Sequence, residues 1–322
     1  MLIGAAILAL LPDQHRLLVR YPVTLKLNHL GSSGLPSTAA SQCSKLLSCL
    51  SDGGWLAGEW YSFSPECTAL MRPAGPIRSH TLLLGDSVDR YLVDDFCSGL
   101  NSSTSNSSLA KLYDWTDGVF FYKTGASAAA VCDVIQANAS VGSLAFVHLY
   151  GSQPHGPYLH GHVNNAQDPY TDTALRIPKA LEQYQRRFQR LPDLIVYQAA
   201  LWDVVKLEMP ANLNLTAPLL ETYVSDVRQT VANLTERYPG ATLMLRTTPG
   251  LVGAAYLSQG RALHMYNAAL RHVARERGLV LLDWAAMNSG IADFLRDRMH
   301  PDAKHSRFFA NVIVSVADHC TQ

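Results

Sequence analysis

The segment that most clearly carries chemistry is Gly85-Asp86-Ser87, which ends an apolar run and precedes apolar residues at helical spacing. This pattern predicts a buried strand, a tight turn and a helix that begins near the serine. The hydroxyl of a serine at such a junction can attack an electrophile. Its backbone N–H has no partner within the helix and can bind the oxyanion that the attack creates.

A serine hydroxyl is a weak nucleophile unless a base accepts its proton and a third group orients that base. Two overlapping candidate pairs lie near the C-terminus, Asp297 with His300 and Asp302 with His305. An aspartate three residues before a histidine can fix the imidazole tautomer while the other ring nitrogen faces the serine. We favour Asp297 and His300 because Pro301 stiffens the backbone there. His305 falls near the start of a predicted helix and would lie on its solvated face.

The elements that must position these residues alternate between short apolar strands and amphipathic helices. The strands lie within residues 80–84, 119–122, 144–150, 192–203, 242–247 and 278–283, and the helices within 177–191, 220–234, 259–277 and 309–316. This alternation predicts an α/β fold with three layers, α/β/α, around a mostly parallel central sheet. Ligands bind beyond the carboxyl ends of such strands. Ser87, Gly125, His155 and Gln198 all follow predicted strand ends, so we expect them around one crevice.

Three histidines, His155, His160 and His162, lie on one Gly/Pro-rich loop after the strand within 144–150. Imidazole is a common metal ligand, but the loop gives the three rings no defined geometry. We therefore expect His155 to belong to a loop that lines the substrate, and we expect no metal site and no cofactor.

Trp55 and Trp60 lie between Cys49 and Cys67, which suggests a small disulfide-pinned cap on the domain. Large aromatic side chains mostly serve packing, so we expect both rings to pack on the domain. Stacking of one of them on a sugar ring is the alternative.

With 322 residues, of which 48 % are apolar, the chain can bury one large core. We predict a catalytic domain over residues 80–322 and a packed extension with cysteines and tryptophans over residues 43–79. Residues 13–42 are typical of a linker or stalk. Residues 1–12 are apolar but about half as long as the roughly 20 residues of a membrane-spanning helix. They predict a signal peptide or a signal-anchor remnant that would tether the protein to a membrane; a buried helical turn is the alternative.

Charge and cysteine usage narrow the class of partner and the compartment. Acidic and basic residues balance at 26 each, and no basic tract carries the interleaved aromatic residues of a nucleic-acid binder. This excludes a nucleic-acid partner and favours a neutral substrate. Six cysteines outside C-x-x-C pairs, together with five N-x-S/T sequons, indicate disulfides and the secretory route. Their connectivity stays open, because six cysteines allow fifteen pairings.

Three blocks of the sequence resemble a known superfamily. They are Gly85 to Arg90, then Pro192 to Val196 running into Leu201-Trp202-Asp203, and finally Asp297 to His300. Together they resemble the GDSL or SGNH hydrolases and, within them, the PC-esterase branch. The same blocks are similar to plant trichome-birefringence-like polysaccharide O-acetyltransferases. A G-x-S-x-G motif, which would indicate an α/β-hydrolase, is absent from the sequence.

The resemblance implies a reaction. Ser87 would be the nucleophile, His300 the general base and Asp297 the group that orients it. The oxyanion would be held by the Ser87 N–H, the Gly125 N–H and the side chain at 198, where this chain has Gln198 instead of the family's asparagine. Glutamine also offers an amide donor, but on a chain one methylene longer.

The substrate implied by the resemblance is a small acyl ester, most simply acetyl, of a carbohydrate. Hydrolysis and O-acetyl transfer need the same serine chemistry, so both stay open, and a catalytically weakened glycan-binding or structural module is the third alternative. Asp86, Arg90, His155 and Trp202 are candidates for lining the substrate. Their structural alternatives are a hydrogen bond within the turn for Asp86, an ion pair for Arg90 and packing for Trp202.

Overall fold

The structure is a computed structural model, and it describes most of the chain beyond the N-terminal region. The described residues are 37–50, 53–56, 59–62, 64–70, 77–100, 106–112, 129–136, 139–153, 173–208, 215–250, 257–288, 295–297 and 299–321. Several predictions fall outside them: the segment 1–12, the strand at 119–122, Gly125 and the histidine loop that begins with His155.

Helices and strands alternate along most of the described chain. The strands are β1 (Gly53–Leu56), β2 (Glu59–Ser62), β3 (His80–Gly85), β4 (Asn106–Lys111), β5 (Ala129–Gln136), β6 (Ala139–His148), β7 (Leu194–Tyr197), β8 (Thr242–Arg246) and β9 (Val280–Leu282). The helices are α1 (Ser37–Leu50), α2 (Pro65–Leu70), α3 (Ser87–Leu100), α4 (Thr173–Phe188), α5 (Leu201–Glu208), α6 (Ala217–Arg237), α7 (Leu257–Arg277), α8 (Trp284–Met287) and α9 (Ala303–Cys320).

One sheet of seven strands organises the fold, in the order β4-β5-β6-β3-β7-β8-β9. Strand β3 lies between β6 and β7 and is parallel to both, and β8 and β9 extend the parallel part. Strands β4, β5 and β6 are antiparallel neighbours. Numbered along the chain, the five parallel strands have the order 2-1-3-4-5 of flavodoxin-like doubly wound sheets. The predicted mostly parallel sheet is confirmed.

Helices cover both faces of this sheet, which makes the three predicted layers. Core residues of α1, α3 and α9 pack on one face. Those of α4, α6 and α7 pack on the other. All six residues of β3 are buried, as expected for a central strand that is covered on both faces. The apolar stripe of α6 is confirmed, since Val227, Val231 and Leu234 are buried and Leu220 packs against the same core.

Some elements were not predicted. Strands β4 and β5 add an antiparallel edge to the sheet, and β1 pairs with β2 in a separate two-stranded sheet. The run Val131-Cys132-Asp133-Val134-Ile135 carried the signal for β5, because it is rich in β-branched residues. Helix α1 begins at Ser37, inside the segment expected to be a linker. Its Cys43, Leu46, Leu47 and Leu50 are all buried and share one helical face.

Three disulfides join the described elements, Cys43–Cys320, Cys49–Cys67 and Cys97–Cys132. The first ties α1 to the end of α9, and the second closes the segment that contains β1 and β2. Disulfides of this kind persist in an oxidising compartment outside the cytosol. Among the helices that the structure describes, none has the length and apolar character needed to cross a bilayer.

Candidate active site

The turn between β3 and α3 presents Ser87 at the first position of the helix. Asp86 precedes it, and its Oδ1 accepts the Val88 N–H at 2.8 Å, so the aspartate caps the helix and fixes the turn. Asp86 is only 2 % exposed. The carboxyl is buried and bonded within the turn, which agrees with the hydrogen-bonding alternative for this residue.

The segment before α9 brings a histidine and a carboxylate to this serine. The distance between Ser87 Oγ and His300 Nε2 is 2.7 Å. The distance between His300 Nδ1 and Asp297 Oδ2 is also 2.7 Å. Asp297 Oδ1 accepts the backbone N–H groups of Met299 and His300, each at 2.8 Å, which locks the D-x-x-H turn. Ser87 and the Asp297–His300 pair, which lies more than 200 residues later, thus form one continuous hydrogen-bonded chain.

The protonation states in this chain follow from the environment of each group. Burial lowers the pKa of His300 below its usual range, and the charges of Arg90 and Arg296 add to that, while Asp297 works in the opposite direction. Burial works to raise the pKa of Asp297, but hydrogen bonds from the His300 ring and two backbone N–H groups outweigh it and lower the pKa. With Asp297 ionised, Nδ1 of the neutral ring carries the proton and Nε2 accepts the hydroxyl of Ser87.

The alternative pair, Asp302 and His305, has a structural role. Asp302 caps α9 by accepting the His305 N–H at 2.8 Å, and the same oxygen lies 2.8 Å from His305 Nδ1. The His305 ring is buried and packs against Trp55, with 4.4 Å between ring centroids. The expectation that His305 lies on a solvated helix face is wrong, because the β1–β2 sheet covers it. Trp55 and Trp60 pack on Phe308 of the same helix.

Gln198 follows β7 and lies against the turn Gly85–Ser87, which we call the nucleophile turn because it carries the candidate nucleophile. Its Nε2 donates to Asp86 Oδ2, and its Oε1 accepts the hydroxyl of Thr248 at 2.8 Å. Gln198 is 2 % exposed. One amide donor of Gln198 is therefore occupied by a carboxylate, and both ends of the side chain are held in place.

A buried ion pair that the sequence did not predict adjoins this amide. Arg246 Nη2 donates to Asp89 Oδ2 at 2.7 Å, and the two side chains are 0 % and 1 % exposed. Burial raises the pKa of Asp86 to about 6, and the neighbouring Asp89 adds to the rise. A Cβ on Gly85 would lie 1.7 Å from Asp89 Oδ2, so a glycine is required before Asp86 for this pair to form.

The loop after β6 is the other neighbour of the nucleophile turn. His148 pairs with Gly85 across the strands, and the Leu149 N–H donates to the Gly85 carbonyl. Gly151 in this loop has a φ of 103°, which favours glycine. The resemblance implied Gly125 as the second backbone donor, but Gly125 lies outside the described residues. Gly151 is the glycine that follows β6, the strand beside β3.

Residues of helix α5 hold this loop. Asp203 accepts the Ser152 N–H at 3.0 Å and its hydroxyl at 2.9 Å. Trp202 packs edge to face on Tyr150, with 5.1 Å between ring centroids, and is only partly buried. The W-D pair therefore packs and braces the loop, as its structural alternative expected, while part of the Trp202 surface stays accessible.

Arg90 lies one helical turn after Ser87 and is partly buried. Its guanidinium lies 4.7 Å from the centroid of the Tyr91 ring. Burial is the main cause that lowers the pKa of His300, and the charge of Arg90 adds to it. Burial raises the pKa of Asp94 on the same helix, and the charge of Arg90 opposes that rise.

A second buried serine–histidine contact lies at the amino end of β3, where His80 pairs with Ser143 in the middle of β6. Ser143 Oγ lies 3.0 Å from His80 Nδ1 and 2.7 Å from the Tyr184 hydroxyl. Ser143 is 0 % exposed. Because no substrate can reach a hydroxyl in that position, this contact belongs to the core. Among the described residues, no group of three or more His, Cys, Asp or Glu side chains could hold a metal ion.

No protein-family profile matches the chain, and no curated protein matches it. Solved structures are similar to it, among them GDSL-like and acetyl xylan esterases. The acetyl xylan esterase AlAXEase is 15 % identical, with a TM-score of 0.42, over 72 % of this chain and 97 % of its own. A GDSL-like lipase from Bacteroides thetaiotaomicron is 11 % identical, with a TM-score of 0.42, over 78 % and 94 %. A catalytic mutant of the acetylxylan esterase Axe2 from Geobacillus stearothermophilus is 12 % identical, with a TM-score of 0.41, over 76 % and 96 %.

At these identities and TM-scores, the similar structures carry no argument about the activity of this chain. The function proposed below therefore rests on the geometry of the site and on the three sequence blocks.

Proposed function

We propose that this protein is an SGNH-type serine esterase or acyltransferase that works through an acyl-serine intermediate. The observation that carries the proposal is the hydrogen-bonded chain from Asp297 through His300 to Ser87, with both links at 2.7 Å. Its order is that of a catalytic triad, in which an acid orients a base and the base faces a nucleophile.

The first half of the reaction forms the acyl-serine. His300 Nε2 accepts the proton of the Ser87 hydroxyl as Oγ attacks the ester carbonyl. Asp297 keeps the proton on Nδ1 and stabilises the imidazolium that forms. The tetrahedral intermediate then collapses, and His300 returns its proton to the leaving alcohol oxygen while the acyl group stays on Oγ.

The second half releases the acyl group. His300 Nε2 accepts a proton from an incoming hydroxyl, whose oxygen attacks the acyl-serine carbonyl. The proton returns to Ser87 Oγ as the ester bond to the serine breaks. Water as the incoming hydroxyl gives hydrolysis, and a sugar hydroxyl gives acyl transfer.

The oxyanion of both tetrahedral intermediates needs preorganised donors. The Ser87 N–H is the first of them. We take Gly151 as the second donor, because it follows Leu149, whose N–H donates to the Gly85 carbonyl. The remaining N–H of Gln198 is the third donor in this proposal.

The substrate class comes from the resemblance of the three sequence blocks to PC-esterases. It is an acetyl ester of a carbohydrate, and the balance of 26 acidic and 26 basic residues suits a neutral glycan. We place the protein in the secretory pathway, with residues 80–322 as the catalytic unit and residues 43–79 as an extension packed on it. A membrane tether through the N-terminus belongs to the same proposal.

A second candidate is a catalytically weakened module that binds glycans, and one observation favours it. Gln198 spends one amide N–H on Asp86, which leaves a single N–H for an oxyanion. In this case the site would bind an acetylated sugar without turning it over.

The experiment compares Ser87→Ala with Ser98→Ala in the release of acetate from 4-nitrophenyl acetate and from an acetylated oligosaccharide. Ser98 is a matched control, because it lies exposed on the same helix and bonds only the Asp94 carbonyl among the described contacts. Ser87→Ala should lower kcat at least about 1,000-fold, since nucleophile and base act as a unit. Full activity in Ser87→Ala would overturn the mechanism. A wild-type protein that binds the oligosaccharide without releasing acetate supports the weakened module.

A further inference from the structure

We infer that Arg296 is a positioning residue for His300, which holds the imidazole toward Ser87 by clamping the segment 295–301 onto helix α3. The inference rests on the proposed function for its catalytic meaning. The contacts of Arg296 fix the orientation of the His300 ring, and this orientation can be measured without any catalytic turnover.

Arg296 first closes the loop that carries the Asp297–His300 pair. Its backbone N–H donates to the His300 carbonyl at 2.8 Å. Its side-chain Nε donates to the Pro301 carbonyl at 2.7 Å. Leu295 and Pro301 form a bridge across the same loop. The two ends of the loop are therefore joined, and the guanidinium lies at the point where they meet.

The same guanidinium then ties the loop to helix α3. Its Nη2 forms an ion pair with Asp95. Its Cζ lies 4.1 Å from the centroid of the Tyr91 ring. The Tyr91 ring in turn packs on the His300 ring, with 4.8 Å between centroids and 65° between planes. Arg296 therefore contacts α3 at two residues, and one of them touches the imidazole.

Helical spacing explains why these contacts align the triad. Ser87, Tyr91 and Asp95 are four residues apart in succession, so they lie along one face of α3. Helix α3, which begins at Ser87, thus also contacts the imidazole through Tyr91 and binds Arg296 through Asp95. A movement of the loop along this face would change the 2.7 Å distance between Ser87 and His300 directly.

The charges around His300 give the clamp a second measurable effect. The groups that face the imidazole are Asp297 on its own loop, Arg296 on the same loop, Arg90 on α3 and His148 at the end of β6. Burial is the largest cause that lowers the pKa of His300, and the positive charges of Arg90 and Arg296 lower it further. Removal of the charge on Arg296 should therefore raise the pKa of His300.

The test compares Arg296→Gln and Arg296→Lys with Arg307→Gln. Arg307 is a matched control, because it is exposed on α9 and its side chain packs near Gly99, at the far end of α3. For each variant, kcat and KM on 4-nitrophenyl acetate are measured from pH 5 to 9. The His300 ring is titrated by NMR in the same protein.

Arg296→Gln should lower kcat about 10- to 100-fold, because a misplaced base is costly, while KM changes less than about threefold. Since the neutral ring is the active form, a raised pKa moves the acid limb of the pH profile to higher pH. Arg296→Lys should restore the position of the acid limb, because it keeps the charge, but recover kcat only in part, because it lacks the planar fork. Arg307→Gln should match the wild-type protein in kcat and in the position of the acid limb.

The inference is overturned if Arg296→Gln changes only thermal stability and leaves kcat, the acid limb and the His300 titration unchanged. Failure of the proposed function looks different. In that case the wild-type protein releases no acetate, and the NMR titration alone decides on the clamp. A raised His300 pKa with loss of the Tyr91 ring-current shift in Arg296→Gln supports the clamp, and unchanged ring signals contradict it.

Discussion

The side-chain amide of Gln198 has two hydrogen-bond partners in the structure, and the proposed reaction adds the oxyanion as a third. Its Oε1 accepts from Thr248 and one of its N–H groups donates to Asp86, which fixes the end of the amide that faces the nucleophile turn. A primary amide has two N–H groups, so in the proposed reaction the second one would bind the oxyanion. The longer glutamine side chain is therefore used to reach Asp86 beneath the turn, a partner that the sequence comparison with an asparagine did not suggest.

We expect the remaining amide N–H of Gln198 to contribute to catalysis as an oxyanion donor. Gln198→Met keeps the length of the side chain but has no N–H, so kcat on 4-nitrophenyl acetate should fall about 100- to 1000-fold, the usual effect of losing one oxyanion donor. Thr248→Val is the control, since it removes a partner of Oε1 and leaves the donor in place; its kcat should fall less than about 10-fold. A Gln198→Met enzyme within threefold of wild type would show that the oxyanion is held without Gln198.

At the scale of elements, α3 is fastened to the sheet by a buried ion pair. Asp89 on α3 and Arg246 at the end of β8 are separated by 157 residues and lie 2.7 Å apart with almost no exposure. Arg246 also lies over the Trp284 ring, at 4.9 Å from its centroid. Because the pair sits directly behind the Gly85–Ser87 turn, it supports the start of the nucleophile helix.

We expect Arg246→Met to lower the free energy of unfolding by about 3–5 kcal/mol, because it leaves the Asp89 carboxyl buried without its cation. Burial raises the pKa of Asp89 already in the wild-type protein. A carboxyl with a raised pKa stabilises the folded state at low pH and loses that contribution as pH rises through the folded pKa. The loss in Arg246→Met should therefore be smaller at pH 5 than at pH 8.

The matched control for this measurement is Arg228→Met. Arg228 pairs with Glu276 between α6 and α7, and the two side chains are 38 % and 35 % exposed. A pair on the surface contributes about 0–1 kcal/mol. Urea unfolding of both variants at pH 5 and pH 8 measures how much free energy of unfolding each substitution costs. Equal losses in the two variants would contradict a special role for the buried pair.

In the whole molecule, the layered fold and the three residues of the hydrogen-bonded chain, Ser87, His300 and Asp297, could be predicted, whereas the other contacts between distant elements could not. Hydrophobic periodicity identified the parallel strands and the long helices. The turn at Ser87 and the D-x-x-H spacing are local patterns, so they were visible in the sequence. Asp89, Arg246 and Arg296 were missed, because periodicity assigns charged residues to solvent and does not show which of them meet.

The order of the strands in the sheet also explains why the sequence alone did not identify the glycine proposed to bind the oxyanion. The strand predicted at 119–122 was the second along the sequence, after the strand that precedes Ser87, so the resemblance suggested Gly125 as the glycine that follows it. The sheet places β6 beside β3 instead, and the Leu149 N–H after β6 donates to the Gly85 carbonyl, so the glycine that follows β6 is Gly151. A sequence shows the ends of strands, but the pairing of strands decides which of these ends are neighbours.

The measurement that tests the central claim most directly is the mapping of a covalent adduct after reaction with a fluorophosphonate, by intact-protein mass and peptide sequencing. We predict one adduct, on Ser87, in the wild-type protein and in His305→Ala, and at least about 1,000-fold slower labelling in His300→Ala. An adduct on another serine, or labelling of His300→Ala at the wild-type rate, would contradict the claim that His300 activates Ser87.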